Sequence, residues 1–506
     1  MYTPCGFYVM LMGMLLLLVC GADGLKIGVI PFPQSTRFTP MLAIIKELLI
    51  RGHEFEVYVP EEFMSNCLRE VNQRCVTVGT YNGSYSYQET LTKTHFNLKW
   101  VISFFSIEGS TRNFNMFFES ALKNTLQKNS LLPDVVLMDI GLWDAEKVLN
   151  EFHIPTIFLW SLTQWPAQMN PSFPARGSGL SVHMNLVDRA KNYFFQRLNY
   201  WITRIRKRGE ANSGDSLEII LYERHIITPF VFGIDTPQPY CPNVHPVGFL
   251  FPPVEGLLDI NTDLKLWMNS CSNGILFINL GPISMLPNSW KNNIDKFIIL
   301  SIKKAGICVL WETYGARNTR SLKEENGKNF KIIDQFPFSS RSLLSHKNTK
   351  VFLTNCGNFS VYESIESGIP LVGLPLLPEQ TDMCARVKDA GVGIVLNKFL
   401  FNPYQLFDAV IQVINNSQMK EKLLSINRMG HVLGGSKRAT DIIEQVGILG
   451  KGTDVMFCRW ARLPLIERHD LDIVLILSGV CAAFLFIIMK MCSRGNSAII
   501  SRRKQD

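Results

Sequence analysis

At 506 residues the chain is too long for one ordinary hydrophobic core, so two large domains with accessory segments are expected. Apolar residues make up 47% and charged residues 19%, a balance that fits a globular protein with a few membrane-facing segments and excludes a disordered chain. The formal charge of +8 is spread along the sequence, and its small clusters, Arg204–Arg208 and Arg502–Lys504, are not interleaved with aromatics, which argues against a nucleic-acid partner.

In chain order, residues 1–24 hold the apolar run Phe7–Val19 and then Cys20-Gly21-Ala22. This reads as a secretory signal peptide, although its leading segment lacks the usual positive charge. The first domain is expected over residues 25–245. Leu25–Pro31 (LKIGVIP) is a buried-strand pattern, Phe32–Thr39 a loop, and Pro40–Leu49 a helix with Met41, Leu42, Ile44, Ile45, Leu48 and Leu49 apolar and Lys46-Glu47 outside. Arg51-Gly52-His53 ends that helix, and Phe55–Val59 is the next strand. A β-α-β opening implies a parallel sheet with a ligand crevice beyond its strand ends. Its first turn lacks the glycine pattern of dinucleotide enzymes, which argues against a nicotinamide cofactor.

The 12 cysteines show no C-x-x-C and no metal-like spacing, and no metal is implied. Cys67 and Cys75 could pair in an oxidising lumen or stay as buried thiols. Asn82-Gly83-Ser84 and Asn415-Asn416-Ser417 fit the glycan acceptor pattern, as does Asn358-Phe359-Ser360. The aromatic-rich stretch Phe96–Phe118, with Trp100, Phe104, Phe105, Phe114 and Phe117, serves either as helix core packing or as an apolar pocket. Pro133–Asp139 reads as a strand with Asp139 at its end, and Pro155–Leu162 as another. Ser161–Tyr200, with Trp165, Pro166, Pro171 and Pro174, reads as a loop-and-helix segment.

Pro237–Pro253 contains six prolines, a linker composition, and the second domain is expected over 246–450. Lys291–Ala305 reads as a helix, and Ile307–Trp311 and Lys331–Ile333 as strands. The stretch Val351–Gln380 organises this half. Val351–Thr354 is a strand, a glycine-bearing turn follows, and Ser360–Ser367 is a helix closed by Gly368. Leu371–Leu376 is a buried strand ending at Pro378-Glu379-Gln380. Such a strand-turn-helix unit offers backbone N–H groups to an anion, typically a phosphate. Tyr404–Asn415 and Met419–Arg428 are amphipathic closing helices. A stem over 451–470 leads to a transmembrane helix at 471–489, whose apolar run is Ile473–Met489, and to a basic tail at 490–506. The only D-x-D, Asp470-Leu471-Asp472, abuts that helix and is a poor metal site.

The order of parts in Val351–Gln380 resembles the donor-binding signature of the UDP-glycosyltransferases, the family that includes the UDP-glucuronosyltransferases. The matching residues are Thr354, Gly357, Tyr362, Glu363, Gly368-Ile369-Pro370, the LVGLPL strand and Glu379-Gln380. The resemblance implies an α/β protein of two Rossmann-like domains facing each other (the glycosyltransferase B arrangement), with a single C-terminal transmembrane helix. It implies transfer of a hexosyl group, glucosyl or glucuronosyl, from a UDP-sugar to a small lipophilic hydroxyl acceptor by inverting displacement. The UDP-sugar is a co-substrate, no cofactor or metal is expected, and a homo-oligomer stays open. By the same resemblance Asp139 holds the place of the family's histidine-orienting aspartate. The family's catalytic histidine position, counted back from His53, is Arg37. A guanidinium keeps its proton at physiological pH and cannot act as the base. Donor contacts are carried over to Ser340, Asn355, Gly357, Asn358, Glu363, Glu379 and Gln380. Pro282 replaces the serine after the first-strand glycine, with Ser284 a substitute. Pro337 replaces the uracil-stacking tryptophan, with Phe338 able to supply the ring if the loop shifts. Phe359 replaces an asparagine. The alternative is a catalytically impaired member that binds a nucleotide sugar, a lipophile or a partner without turnover. Signal peptide and anchor together would leave the main body lumenal in the endoplasmic reticulum as a single-pass type I protein. The tail reads equally as a retrieval signal or a plain stop-transfer flank.

Overall fold

The computed structural model describes residues 24–71, 74–81, 99–129, 131–160, 173–208, 222–237, 240–253, 262–282, 286, 288–314, 327–334, 340–457, 463, 465–468 and 470–502. The expected signal peptide, Asn82, Trp165, Ser284, Pro337 and Phe338 lie outside them.

The first half runs β1 (Lys26–Ile30), α1 (Ser35–Ile50), β2 (Glu54–Val59), α2 (Glu61–Val71), β3 (Cys75–Thr77), α3 (Lys99–Lys128), β4 (Val135–Asp139), α4 (Glu146–Glu151), β5 (Thr156–Leu159), α5 (Leu186–Arg208), β6 (His225–Thr228) and β7 (Val244–Pro246). The strands form a parallel sheet in the order β3-β2-β1-β4-β5-β6-β7. In register, Ile27 pairs with Phe55 on one side and Val135 on the other. Strand periodicity sends alternate residues to opposite faces. Val135 and Leu137 pack with α1, whereas Val136 and Met138 pack with α3. Phe114 and Phe118 of α3 are fully buried there, so this part of the aromatic stretch is core; the side chains of Trp100, Phe104 and Phe105 lie outside the described residues.

The expected loop Phe32–Thr39 is shorter than anticipated. Helix α1 already begins at Ser35 and contains Pro40. Proline removes one intrahelical donor, but Phe38, 2% exposed, extends the apolar stripe of Leu42 and Ile45 by one turn and anchors the early segment in the core.

The second half runs α6 (Thr262–Ser270), β8 (Ile275–Pro282), α7 (Asn288–Ala305), β9 (Cys308–Tyr314), β10 (Phe330–Asp334), α8 (Arg341–Leu344), β11 (Thr349–Thr354), α9 (Asn358–Glu366), β12 (Leu371–Gly373), α10 (Pro378–Ala390), β13 (Gly393–Val395), α11 (Pro403–Asn415), α12 (Ser417–Val432) and α13 (Gly435–Leu449). After these come α14 (Leu465–Arg468) and α15 (Leu471–Arg502). The second sheet is also parallel, in the order β10-β9-β8-β11-β12-β13. The strand expected to reach Leu376 pairs only over Leu371–Gly373. Glu379 and Gln380 open a helix instead of ending a strand. Pro378 suits the first helical turn, and the Gln380 amide oxygen accepts the N–H groups of Leu376 and Leu377, each at 2.9 Å.

Strand β7 carries the first sheet through Pro246, past the expected division at 245/246. The last helix of the expected second domain, α13, returns to the first sheet, where Ala439, Ile442, Ile443 and Val446 join the core of Ile27 and Leu42. Arg51 and His53 hold its outer face through Asp441 and Glu444. The proline-rich connector is packed tightly. At Gly248 (φ +78°) a β-carbon would stand 2.1 Å from the Gly430 carbonyl oxygen, so only glycine fits. Among the described residues α15 alone is long and apolar enough to cross a membrane, over Leu471–Lys490.

Candidate active site

In open parallel sheets, ligands bind beyond the carboxyl ends of the strands where the strand order reverses. The first sheet reverses between β1 and β4, the second between β8 and β11. All sequence-derived site residues except Ser340, Glu379 and Gln380 lie within a turn or two of these points.

At the first reversal, Arg37 sits in the opening turn of α1 and Asp139 ends β4. Arg37 Nη2 stands 2.5 Å from Asp139 Oδ1, an ion pair. Asp139 is fully buried, and the same oxygen accepts the Gly141 N–H at 2.7 Å. The guanidinium lies over the Phe32 ring, 4.6 Å from its centroid. A β-carbon on Gly141 would come within 2.7 Å of Arg37 Nη1, so the cation needs glycine beneath it. Arg37 therefore ties the start of α1 to the end of β4 and the turn after it.

At the second reversal, β8 ends in Gly281 and Pro282, and β11 runs into Asn355-Cys356-Gly357 and α9. Asn355 is turned into its own domain: Nδ2 donates to the Leu280 carbonyl at 3.3 Å, and Oδ1 accepts the Gly357 N–H at 3.1 Å. These bonds shape the turn. Gly357 is the N-cap of α9 and brings no capping side chain, so Asn358 begins a helix whose first-turn amides lie at the carboxyl end of β11. Glu363 lies in the second turn of α9 and is 8% exposed. Ser340, expected at the donor, gives its hydroxyl to Glu312 Oε2 at 3.1 Å, an oxygen that also accepts from Asn279 Nδ2 at 2.8 Å. Glu379 is half-buried in the first turn of α10, whereas the Gln380 oxygen is committed to the cap already described. No group of three potential metal ligands occurs among the described residues.

Side chains of α10 that sequence reasoning missed bind segments from the first half of the chain. Asp382 accepts the Gly177 N–H at 2.6 Å and the Gly179 N–H at 2.8 Å, from the segment that follows β5. Burial pushes its carboxyl up to about 6, against the pull of those two amides. Asp389 accepts the Val182 N–H at 3.0 Å. Arg386 donates to buried Asp235 at 2.6 Å, and the Tyr362 hydroxyl donates to the other Asp235 oxygen at 2.6 Å. Burial raises the Asp235 carboxyl while Arg386 and Tyr362 pull it down. The available signal was positional. Asp382, Arg386 and Asp389 recur at i, i+4 and i+7 and so share one face of a helix.

Two parallel α/β sheets joined by this clasp match the glycosyltransferase B fold. Residues 25–506 match the family described as UDP-glucoronosyl and UDP-glucosyl transferase, and the chain belongs to that family. It is 26% identical to UDP-glucuronosyltransferase 1-2 of Mus musculus, over 95% of this chain and 94% of that one. Against UDP-glucuronosyltransferase 1A9 of Homo sapiens it is 26% identical, with 96% and 95% covered. Among solved structures, an indoxyl-glucosylating UDP-glucosyltransferase from Polygonum tinctorium superposes with a TM-score of 0.61 at 16% identity, covering 85% of this chain and 99% of that one. The crystal structure of LpCGTa in complex with UDP gives a TM-score of 0.57 at 14% identity, covering 83% of this chain and 99% of that one. These likenesses place the fold.

Proposed function

We propose that the chain transfers a glucosyl or glucuronosyl group from a UDP-sugar to a small lipophilic hydroxyl acceptor with inversion, slowly, because position 37 supplies no base. The observation that carries this is the start of α9, whose N-cap Gly357 lends no capping side chain, behind the Asn355–Gly357 turn at the reversal point of the second sheet. The acceptor oxygen attacks the anomeric carbon, the sugar–phosphate bond breaks, and UDP leaves with its electron pair. Amides at a helix start stabilise the charge that develops on the departing phosphate. The acceptor proton passes to Asp139 or to water. A relative solved with UDP supports the donor class.

The Arg37–Asp139 pair favours a second reading, a catalytically impaired member that binds donor or lipophile without turnover. Thermal-shift titration with UDP, UDP-glucose and UDP-glucuronic acid tests the first. Stabilisation by UDP and by one of the sugars is expected, and no shift with any of them removes donor binding altogether. Turnover of a simple phenol then separates the two readings. The disulfides Cys67–Cys75, Cys271–Cys308 and Cys356–Cys384, with the apolar span of α15, support a lumenal body anchored in the endoplasmic reticulum membrane. Protease protection in sealed microsomes tests that orientation.

A further inference from the structure

The turn that begins α9 is held by a covalent bond. Cys356 stands between Asn355 and Gly357, and it pairs with Cys384 in the middle of α10, with the two Cα atoms 5.5 Å apart. Both residues are buried. The backbone at Cys356 has φ +59°, a region that a residue with a β-carbon enters only at a cost and glycine enters freely. A third segment is shaped to the bond. Gly373, the last residue of β12, lies beneath it, and a β-carbon there would stand 2.6 Å from the sulfur of Cys356 and 2.6 Å from that of Cys384. In register Gly373 pairs with Thr354, the residue before the turn. The disulfide therefore clamps three neighbouring parts of the second domain: the exit of β11, the end of β12 and the helix bearing Glu379, Gln380 and Asp382.

Asn355 fixes the turn from one side through Leu280 and Gly357, and Cys384 fixes it from the other. Without the bond, nothing covalent keeps Cys356 in its left-handed conformation. Relaxation there rotates the Gly357 peptide and swings the first-turn amides of α9. We propose that Cys356 and Cys384 are positioning residues for the nucleotide, their disulfide setting the phosphate-facing turn against α10. This rests on the donor site proposed above.

The test uses the full-length protein in detergent, titrated with UDP and, separately, with uridine, which lacks the phosphates. Cys384→Ala removes the bond, and the double variant Cys356→Gly, Cys384→Ala removes it while giving the turn a residue at ease at positive φ. Thermal melts establish that each is folded at the titration temperature. In Cys384→Ala, UDP affinity is expected to fall about tenfold while uridine affinity holds, a loss typical of slightly misplaced binding groups. The glycine variant is expected to recover part of the UDP affinity. Wild-type UDP affinity in either folded variant, or equal losses for UDP and uridine, overturns the positioning role. If the wild-type protein itself binds no UDP, the donor-site assignment falls and the proposal with it.

Discussion

Replacing Arg37 by alanine tests how the first crevice is held together. Asp139 is 0% exposed and Arg37 15%, so the pair is shielded from water. Removing the guanidinium leaves a buried carboxylate that still accepts the Gly141 N–H at 2.7 Å but has lost its paired cation. Breaking a buried pair from one side typically costs about 3–5 kcal/mol, because the remaining charge is stranded. Loss of the cation from the Phe32 face, 4.6 Å away, adds roughly 1 kcal/mol. Asp139→Asn should cost less, about 1–3 kcal/mol, because its oxygen can still accept from Gly141 and the stranded group is the better solvated guanidinium. In the double variant Arg37→Ala, Asp139→Ala the two losses should not add, since each single change already removes the shared contact. Urea unfolding followed by tryptophan fluorescence reads the first cooperative transition of the chain. An Arg37→Ala loss below about 1 kcal/mol would refute the argument, because a stranded buried charge is not that cheap.

Arg37→His supplies an imidazole beside Asp139, and turnover of a phenol should rise by up to ~10²–10⁴-fold if only the base is missing; mass detection of the glycoside checks it. His225 and His245 sit 3.1 Å apart and burial lowers each to about 4. The unfolded chain therefore takes up protons first, near the ordinary value of 6.5, and stability should fall as pH drops from 6.5 towards 4, by up to about 1.4 kcal/mol per pH unit for each ring. His245→Gln should flatten that slope in denaturation midpoints. Asp382 runs the other way. Its folded carboxyl lies at about 6 against an ordinary 3.8, so the folded state holds the proton longer and wild-type stability relative to Asp382→Asn should rise as pH falls from 6 to 4, by up to about 1.4 kcal/mol per pH unit.

The sheets were legible because their strands are short apolar runs between turn signals, and burial on both faces of a parallel sheet demands that pattern. Helix starts were less so. The proline at 40 hid a helix that Phe38 anchors from outside the apparent run, and Pro378 marked a helix start that the apolar residues before it disguised as strand. Arg37 and Asp139 could be placed together through the family resemblance, and the neighbouring strands β1 and β4 bring the start of α1 and the end of β4 to the same point. The hydrogen bonds of Ser340 and Gln380 were not legible for one reason. A polar residue at a conspicuous position reads the same in sequence whether its hydrogen bonds go to a ligand or, as here, to Glu312 and to the start of its own helix. The clasp of Asp382, Arg386 and Asp389 and the return of α13 to the first sheet join segments far apart in the chain, which local periodicity cannot see.

The departures from the family pattern at the two reversal points differ in kind. On the donor side, the loss of an N–H at Pro282 and the inward turn of Asn355 leave the start of α9 open and add a covalent clamp behind it. A phosphate could still be held by backbone alone, since the anion site depends on amide geometry more than on any one side chain. On the acceptor side, the family resemblance implies a proton-exchanging histidine where this chain has Arg37, which cannot exchange its proton and is paired with Asp139. Backbone amides offer no substitute for a proton acceptor, so that loss is not repaired by geometry. Donor binding and chemistry should therefore separate in this chain, with UDP held and the transfer step limiting.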